Sequence, residues 1–442
     1  MNLTATAKGL ISVLVRRYAG PFWVRRRQLA RTQWLDARAL DELQLGLLRR
    51  LLRHAQSTIP FYTRLMEEAG IKAEEIRDLH DVSRLPILTK ERVLEAGKDI
   101  VSRRYPRWFQ TTAHTGGTTG TPLMLKRDLF SVGNEHAFVR RQYDWAGLGL
   151  RDRCAFLTGR LIAKPDQAER LHAYDPCMNE LILSTYHLSH QTAAQYAEAM
   201  REYKVQAVVG YPSAVHLLAQ ACLNGGPKVN LRAALTSSEV LTDSMRATIE
   251  EAFGCRVFDF YGSAERVCYI HTCEQGSYHI VSEYGLSELI PLDESEPNRC
   301  RIVSTGFWNF AMPLVRYDPA DVIITSDRQC ACGRAFPVIE RIGGRQGDSI
   351  VTPSGRQFGA AILTHLLYGT GNILESQIIQ DQTDHLTIDY VPASQFSAQD
   401  LQAFEKLITM HLPSELRVDF KKVDGIQRTR SGKIKPVVSL LS

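Results

Sequence analysis

No stretch of this 442-residue sequence is apolar for long enough to cross a bilayer. The nearest approach, Leu10-Ile11-Ser12-Val13-Leu14-Val15, stops at Arg16-Arg17, and it lacks the small-residue cleavage site of a signal peptide. With Phe22-Trp23-Val24 and Arg25-Arg26-Arg27 it reads as a basic amphipathic helix, either touching anionic lipid or packed on the protein's own surface. The second is expected, with no stable membrane insertion. Nine cysteines are too few for a disulfide scaffold at this length, so most are expected to be reduced thiols in a cytoplasmic protein. There is no basic run interleaved with aromatics, and a net charge of +5 is modest, so no nucleic-acid groove is expected. Internal repeats and low-complexity tracts are also missing. With 44% hydrophobic and 23% charged residues, the chain suits two or three ordinary globular domains.

One stretch stands out, Thr112-Ala113-His114-Thr115-Gly116-Gly117-Thr118-Thr119-Gly120-Thr121-Pro122. Its glycines let the backbone close around an anion, its successive N–H groups can form a nest for phosphate oxygens, and its hydroxyls add neutral donors. No lysine follows the last glycine, so it is not a Walker A loop. Strand-like residues on both sides, Trp108 to Thr111 and Leu123 to Lys126, predict a hairpin. Taken alone, the loop is equally readable as an ordinary turn.

Apolar residues at helical spacing predict a helical region from Leu35 to Ala69 that ends near Gly70, and Thr89 predicts a helix start. From Ser131 onward helices and short apolar strands alternate. The strands are Arg153 to Leu157, Ala207 to Gly210, Arg232 to Thr236 and Cys255 to Phe260. The helices are Ser131 to Trp145, Ala193 to Tyr203, Ser213 to Leu223 and Thr242 to Phe253. This alternation predicts a parallel sheet covered by helices, with binding groups at the carboxyl ends of its strands. Two loops fall there: Ser237-Ser238-Glu239 and Tyr261-Gly262-Ser263-Ala264-Glu265. A β-rich part follows from Tyr278. After Ile350 come strands near Ile373 to Ile379 and Leu386 to Val391, a helix from Ala398 to His411, and a strand from Val418 to Val423.

In order, these features resemble the adenylate-forming ligase superfamily, in its phenylacetate–CoA ligase branch. The resemblance rests on Thr115 to Pro122, Tyr261 to Glu265, Arg316-Tyr317-Asp318-Pro319-Ala320-Asp321, Gly344-Arg345-Gln346-Gly347-Asp348 and Arg428-Thr429-Arg430-Ser431-Gly432-Lys433. Ile59-Pro60-Phe61-Tyr62 and Leu85-Pro86-Ile87-Leu88-Thr89-Lys90 add to it. It implies an α/β fold with a large N-terminal domain, residues 1–347, whose parallel sheets are covered by helices and joined to a small β-rich part. A small mobile α+β domain, residues 348–442, carries the catalytic lysine. The implied chemistry is attack of a carboxylate on the α-phosphate of ATP to give acyl-AMP and pyrophosphate, then transfer to coenzyme A. A carrier-protein thiol or an amine is the alternative acceptor, and a non-catalytic nucleotide-binding protein is the alternative class.

The resemblance also implies roles. Thr115, Gly116, Gly117, Thr118, Thr119 and Gly120 hold phosphates, with Thr118 in the catalytic set. Tyr261, Gly262 and Ser263 pack on adenine with Ser238 and Glu239 beside them, and Glu265 helps hold Mg²⁺. Asp321 takes the ribose hydroxyls, with Asp318 as its rival, and Pro319-Ala320 stands where the family usually has Thr-Gly. Arg345 caps the ribose or phosphate side, Asp348 is the hinge, and Lys433 stabilises the transition state, with Lys435 as the neighbour open to confusion. Ser237, Ser238 and Glu239 are also readable as helix N-terminal residues, and Lys433 as a solvated tail lysine. The acid pocket falls on Phe138, Tyr143, Tyr186, His187 and Tyr211, aromatic walls that suit an aryl or arylacetic acid but also read as ordinary core. Cys273, His279, Cys330 and Cys332 suit a closed structural Zn²⁺ site, with free thiols as the alternative and Cys268 and His271 as substitute ligands.

Overall fold

The computed structural model describes residues 18, 20–115, 123–160, 162, 171–185, 187–345, 349–353, 357–359, 367, 372–412, 415–429 and 434–441. Packing divides the chain into two compact units, interleaved in sequence: 1–147, 260–319 and 323–341 form the first, and 148–259, 320–322 and 342–442 the second.

The first unit opens with α1 (Phe22–Thr32), α2 (Ala37–Thr58) and α3 (Pro60–Glu68). Asp36 caps α2 by accepting from Ala39 N at 2.8 Å, and the heptad-like spacing buries Leu40, Leu48, Leu51, Leu52 and Ala55. The single helical region expected from Leu35 to Ala69 is two helices. Ile59, preceding Pro60, is pushed to an extended conformation, and Pro60 starts α3. As predicted, Thr89 caps α4 (Lys90–Ala96). β1 (Gln110–His114) and β2 (Met124–Asp128) pair antiparallel from Gln110↔Asp128 to His114↔Met124, the expected hairpin, and α5 (Leu129–Trp145) follows.

The second unit holds β3 (Cys154–Thr158), β4 (His172–Asp175), β5 (Glu180–Ser184), α6 (His190–Glu202), β6 (Ala207–Gly210), α7 (Pro212–Leu223), β7 (Ala233–Ser237), α8 (Asp243–Phe253) and most of β8 (Arg256–Gly262). β5, β3, β6 and β7 are parallel neighbours, and β4 is antiparallel on β5. Helix α7 is apolar on nearly every face and sits buried in a core with Leu157, Leu183, Val208 and Phe253. The alternating pattern delivered this sheet, although β4 and β5 had no separate sequence signal.

Returning to the first unit, β9 (Tyr269–Thr272) pairs with the end of β8 and with β10 (Tyr278–Ile280), while β11 (Gly285–Pro291) pairs with β12 (Arg299–Gly306). β13 (Asp321–Thr325) and β14 (Val338–Arg345) follow, and β14 pairs with β10. The chain ends in the second unit with β15 (Ser349–Val351), β16 (Gln357–Gly359), β17 (Ile373–Gln382), β18 (His385–Pro392), α9 (Ala398–His411), β19 (Arg417–Lys422) and β20 (Val437–Ser439). Its sheet order is β19-β18-β17-β20, and Ile378, Leu386 and Ile388 pack there with Phe404 and Ile408 of α9. Among the described residues no helix is long and apolar enough to cross a membrane.

Candidate functional site

The mouth of the glycine–threonine loop is closed by Thr115, whose N–H donates to Leu123 O at 3.1 Å and whose hydroxyl accepts from Leu123 N at 2.9 Å. Thr115 therefore sets the loop's width at its base. Gly116, Gly117, Thr118, Thr119 and Gly120 lie outside the described residues.

The Tyr261–Glu265 turn leaves β8 in the same unit. Arg266 then takes a left-handed conformation at φ +57°, and its carbonyl sits against Gly306, where a Cβ would overlap it; Gly285 makes the same allowance for Val267. Gly285 and Gly306 face each other across β11 and β12, so this pair of glycines seats the turn. Glu265 is buried at 9% exposure and accepts from the Tyr317 hydroxyl at 3.3 Å. Arg127 donates to the Ala264 carbonyl, and Arg266 approaches Glu135 at 3.7 Å. Burial, then Arg266, lowers the Arg127 pKa to about 10. The Ser263 hydroxyl oxygen is buried with no partner, an open polar group in the turn.

Three sequence motifs converge on residues 313–318. The Tyr62 hydroxyl donates to Pro313 O at 2.8 Å and accepts from Val315 N at 3.0 Å. Leu88 N donates to Arg316 O and Asp318 N to Leu88 O, at 2.9 and 3.0 Å. Arg316, at φ +51°, grips Glu288 with two bonds of 2.8 and 2.7 Å and donates to the Ser83 and Leu85 carbonyls. The two N-terminal signatures thus lock the segment whose Tyr317 reaches Glu265. Neither Tyr317 nor Arg127 had a role assigned from sequence. Tyr317 stood inside a recognised motif, while Arg127 carried no signal.

Of the two candidate acids, Asp318 meets Arg301 at 3.2 Å, whereas Asp321 is buried at the start of β13 after Ala320 at φ +59°. Ala320 holds a left-handed conformation that glycine would adopt at less cost. In the second unit, Glu239 accepts from Ser213 N at 3.1 Å, the N-terminus of α7, which has no side-chain cap of its own. Ser238 is left-handed at φ +73°, and Thr242 rather than Ser237 or Ser238 caps α8.

Phe138 is fully buried among Tyr284, Tyr269 and Trp308, with ring centroids 4.9 to 6.4 Å away, and Tyr143 lies 5.1 Å from the Arg140 guanidinium. Both are on α5 in the first unit. His187 and Tyr211 are in the second, and Tyr186 is outside the described residues. The carboxyl ends of β3, β5, β6 and β7 align at Thr158, Ser184, Gly210 and Thr236. Just beyond them, the Thr185 and Ser213 hydroxyl oxygens are buried without partners among the described residues, and burial lowers the His216 pKa to about 4, which keeps it neutral.

Lys433, Arg345's side chain and Asp348 lie outside the described residues. The flanks of the lysine turn are described. Arg428 and Ile434 form an antiparallel bridge, Arg428 donates to Glu375 at 2.5 Å, and Ile426 and Ile434 pack with Leu374 and Val391. Lys435 gives its carbonyl to Gln377 at 2.6 Å.

Cys273, His279, Cys330 and Cys332 come together, their four ligand atoms within 4.8 Å of one another. Cys273 Sγ is 3.5 Å from Cys330 Sγ, and Cys332 Sγ is 3.4 Å from His279 Nε2. A disulfide needs about 2 Å. Tetrahedral zinc with Zn–S near 2.3 Å places sulfurs about 3.8 Å apart, close to what is seen. His279 Nδ1 faces the Phe336 carbonyl at 3.3 Å, which leaves Nε2 for the ion, and backbone N–H groups of Gln275 and Cys332 point at Cys273 and Cys330 sulfurs. The substitutes are engaged elsewhere: His271 stacks on Trp145 at 4.3 Å, and Cys268 accepts from Ser287.

The chain matches the CapK C-terminal domain model over residues 350–439. It is 21% identical to protein CapK of Staphylococcus aureus over 98% of this chain and 95% of that protein. It is 26% identical to phenylacetate-coenzyme A ligase of Thermus thermophilus, over 72% of this chain and 73% of that one. The structure of 2-hydroxyisobutyryl-CoA ligase with 2-HIB-AMP superposes at a TM-score of 0.70, with 19% identity, 92% of this chain and 90% of that one covered. Over most of its length the chain is similar to adenylate-forming acid–CoA ligases, those of the phenylacetate–CoA ligase-like branch among them. Its α/β architecture is that of these ligases, a sheet-rich N-terminal part followed by a small C-terminal sheet and helix.

Proposed function

We propose that the protein activates a small carboxylic acid with Mg·ATP to an acyl-adenylate, releasing pyrophosphate, and passes the acyl group to the thiol of coenzyme A. The observation that carries this reading is the Tyr261–Glu265 turn. Glu265 is buried and oriented by Tyr317, Ser263 offers an unpartnered hydroxyl, and the N-terminal signatures lock the segment behind them. In this reading Glu265 holds Mg²⁺, the glycine–threonine loop including Thr118 takes the phosphates, and Tyr261 packs on adenine. Asp321 takes the ribose, and Lys433 neutralises charge on the transferring α-phosphate. Residues 348–442 act as the small domain, turning about Asp348 so that Lys433 withdraws before thioester formation. The unpartnered hydroxyls of Thr185 and Ser213, beyond β5 and β6, are the feature that would favour an acid with hydrogen-bonding substituents over a bare aryl group.

The four-residue cluster holds Zn²⁺ as a staple in this reading. With four protein ligands it leaves no open position for water and supplies no step of the chemistry. Elemental analysis of purified protein is expected to give one equivalent of zinc, lost in Cys332→Ser; a metal-free wild type would refute the staple.

The test of the reaction is pyrophosphate release over a panel of hydroxylated and unsubstituted acids, with and without coenzyme A. Acid-dependent release and a coenzyme A-dependent thioester are expected. No release with any acid would count against adenylation, and release without thioester would count against the acceptor.

A further inference from the structure

A cavity of about 720 Å³ in the first unit lies apart from every residue assigned above. Arg25 of α1, Arg50 and Arg53 of α2, and Arg104 before β1 all line it. One carboxylate, Asp128, faces them, and it is committed to the backbone: it caps α5 through Ser131 N and accepts from Phe310 N, both at 2.8 Å. Among the described residues, Arg50, Arg53 and Arg104 have no carboxylate within ion-pair distance; the Arg53 side chain reaches only the Arg49 carbonyl, at 3.3 Å. Arg25 is half-buried and Arg50, Arg53 and Arg104 are exposed, so the wall is a solvent-facing cluster of four guanidiniums.

Aromatic faces hold the guanidiniums in place. Arg25 lies 3.4 Å over the Trp308 ring, and Arg50 is 5.3 Å from Trp308 and 4.9 Å from Phe310. Burial, then the charge of Arg50, lowers the Arg25 pKa to about 10, and Glu283 offsets part of that shift. Planar guanidiniums match phosphate oxygens bidentately, and several of them together suit a dianion better than a carboxylate. The volume exceeds a bare phosphate, and Tyr105 and Trp308 add apolar wall for the rest of a ligand.

The position is separate from the glycine–threonine loop. Asp128 stands at the base of the β1–β2 hairpin and the loop at its tip, four residue steps or about 13 Å along the strand. Neighbouring Arg127 serves the Ala264 turn while Asp128 serves the cavity, as alternation along a strand provides.

We propose that this arginine pocket binds the phosphate group of an organophosphate, at a site of its own beside the nucleotide loop. The inference does not depend on the ligase reaction. Isothermal titration of the full chain with inorganic pyrophosphate and with adenosine 3′,5′-bisphosphate, and sedimentation with phosphatidylcholine vesicles with and without phosphatidic acid, separate a soluble phosphate from a lipid headgroup. At least one of these probes is expected to bind wild type. Arg50→Ala/Arg104→Ala is expected to weaken that binding by about tenfold or more per arginine, and Arg50→Lys/Arg104→Lys to retain part of it. Without ligand the alanine variant should melt no lower than wild type, because like charges are removed. Failure of every probe to bind, or equal binding by wild type and a folded alanine variant, would overturn the proposal.

Discussion

Two turns in this protein are each anchored by an arginine–glutamate pair, and the pairs are not alike. In the first unit Arg316 holds Glu288 at two points, donates to the Ser83 and Leu85 carbonyls, and is 8% exposed in its side chain. In the second unit Arg428 meets Glu375 through one nitrogen, and its Nη1 is buried without a partner among the described residues. Glu375 also accepts from Ile426 N at 3.3 Å, and burial raises its pKa despite the arginine. The segment that reaches Glu265 is over-determined, and the base of the lysine turn is held by less. In the proposed reaction this difference would go with a rigid nucleotide side and a more loosely held lysine segment.

The sharpest way to break that contrast is to remove both arginines in turn. Arg316→Ala removes both bonds to half-buried Glu288 and those to the Ser83 and Leu85 carbonyls, so a loss of about 3–5 kcal/mol in urea unfolding is expected. Arg428→Ala removes a single bond and leaves Glu375 still accepting from Ile426 N, so it is expected to lose about 1–2 kcal/mol. Equal losses would erase the distinction between the turns. Next in size is Lys433→Ala. On the proposed reaction it lowers pyrophosphate release by about 10²–10³-fold while urea unfolding stays unchanged. Unchanged release would mean that another group neutralises the α-phosphate.

The same contrast governs what the sequence alone made legible. In the C-terminal module β17, β18, α9 and β19 were legible, since Ile378, Ile388 and Phe404 alternate or recur at the period of their element, whereas the three-residue strands β15, β16 and β20 are too short to show a period. The grouping of Cys273, His279, Cys330 and Cys332 was also legible, because a Cys-x-Cys turn and a hairpin histidine are chemical types that suit a metal, although free thiols were an equal reading. The pair that fixes the Glu265 segment was not. Arg316 and Glu288 are 28 residues apart, and neither residue type announces a partner. The break at Ile59 was written in Pro60 but lost to the strength of the leucine periodicity on either side. The arginine pocket draws on Arg25, Arg50, Arg53 and Arg104, which in sequence are scattered charges on solvated helix faces and become a cluster only through packing.

The smallest effect lies within the second unit, at a pair that neither turn needs. His385 opens β18 and lies 2.8 Å from Asp381 and 3.0 Å from Asp419 on β19, with the side chain 17% exposed. Hydrogen bonds to Asp381, then Asp419, raise its pKa above 6.5. A histidine pKa raised by folding contributes stability that is fully present below 6.5 and is lost as pH rises through the folded value. Stability should therefore fall slightly as pH rises from just below 6.5 through that window, and His385→Ala should flatten the change. Because Asp419 is largely exposed and solvent screens the pair, the effect should stay well under that of Arg428→Ala. Urea midpoints measured across the window for both proteins would show it. A wild-type midpoint that climbs through the same window would mean that these aspartates do not hold the proton.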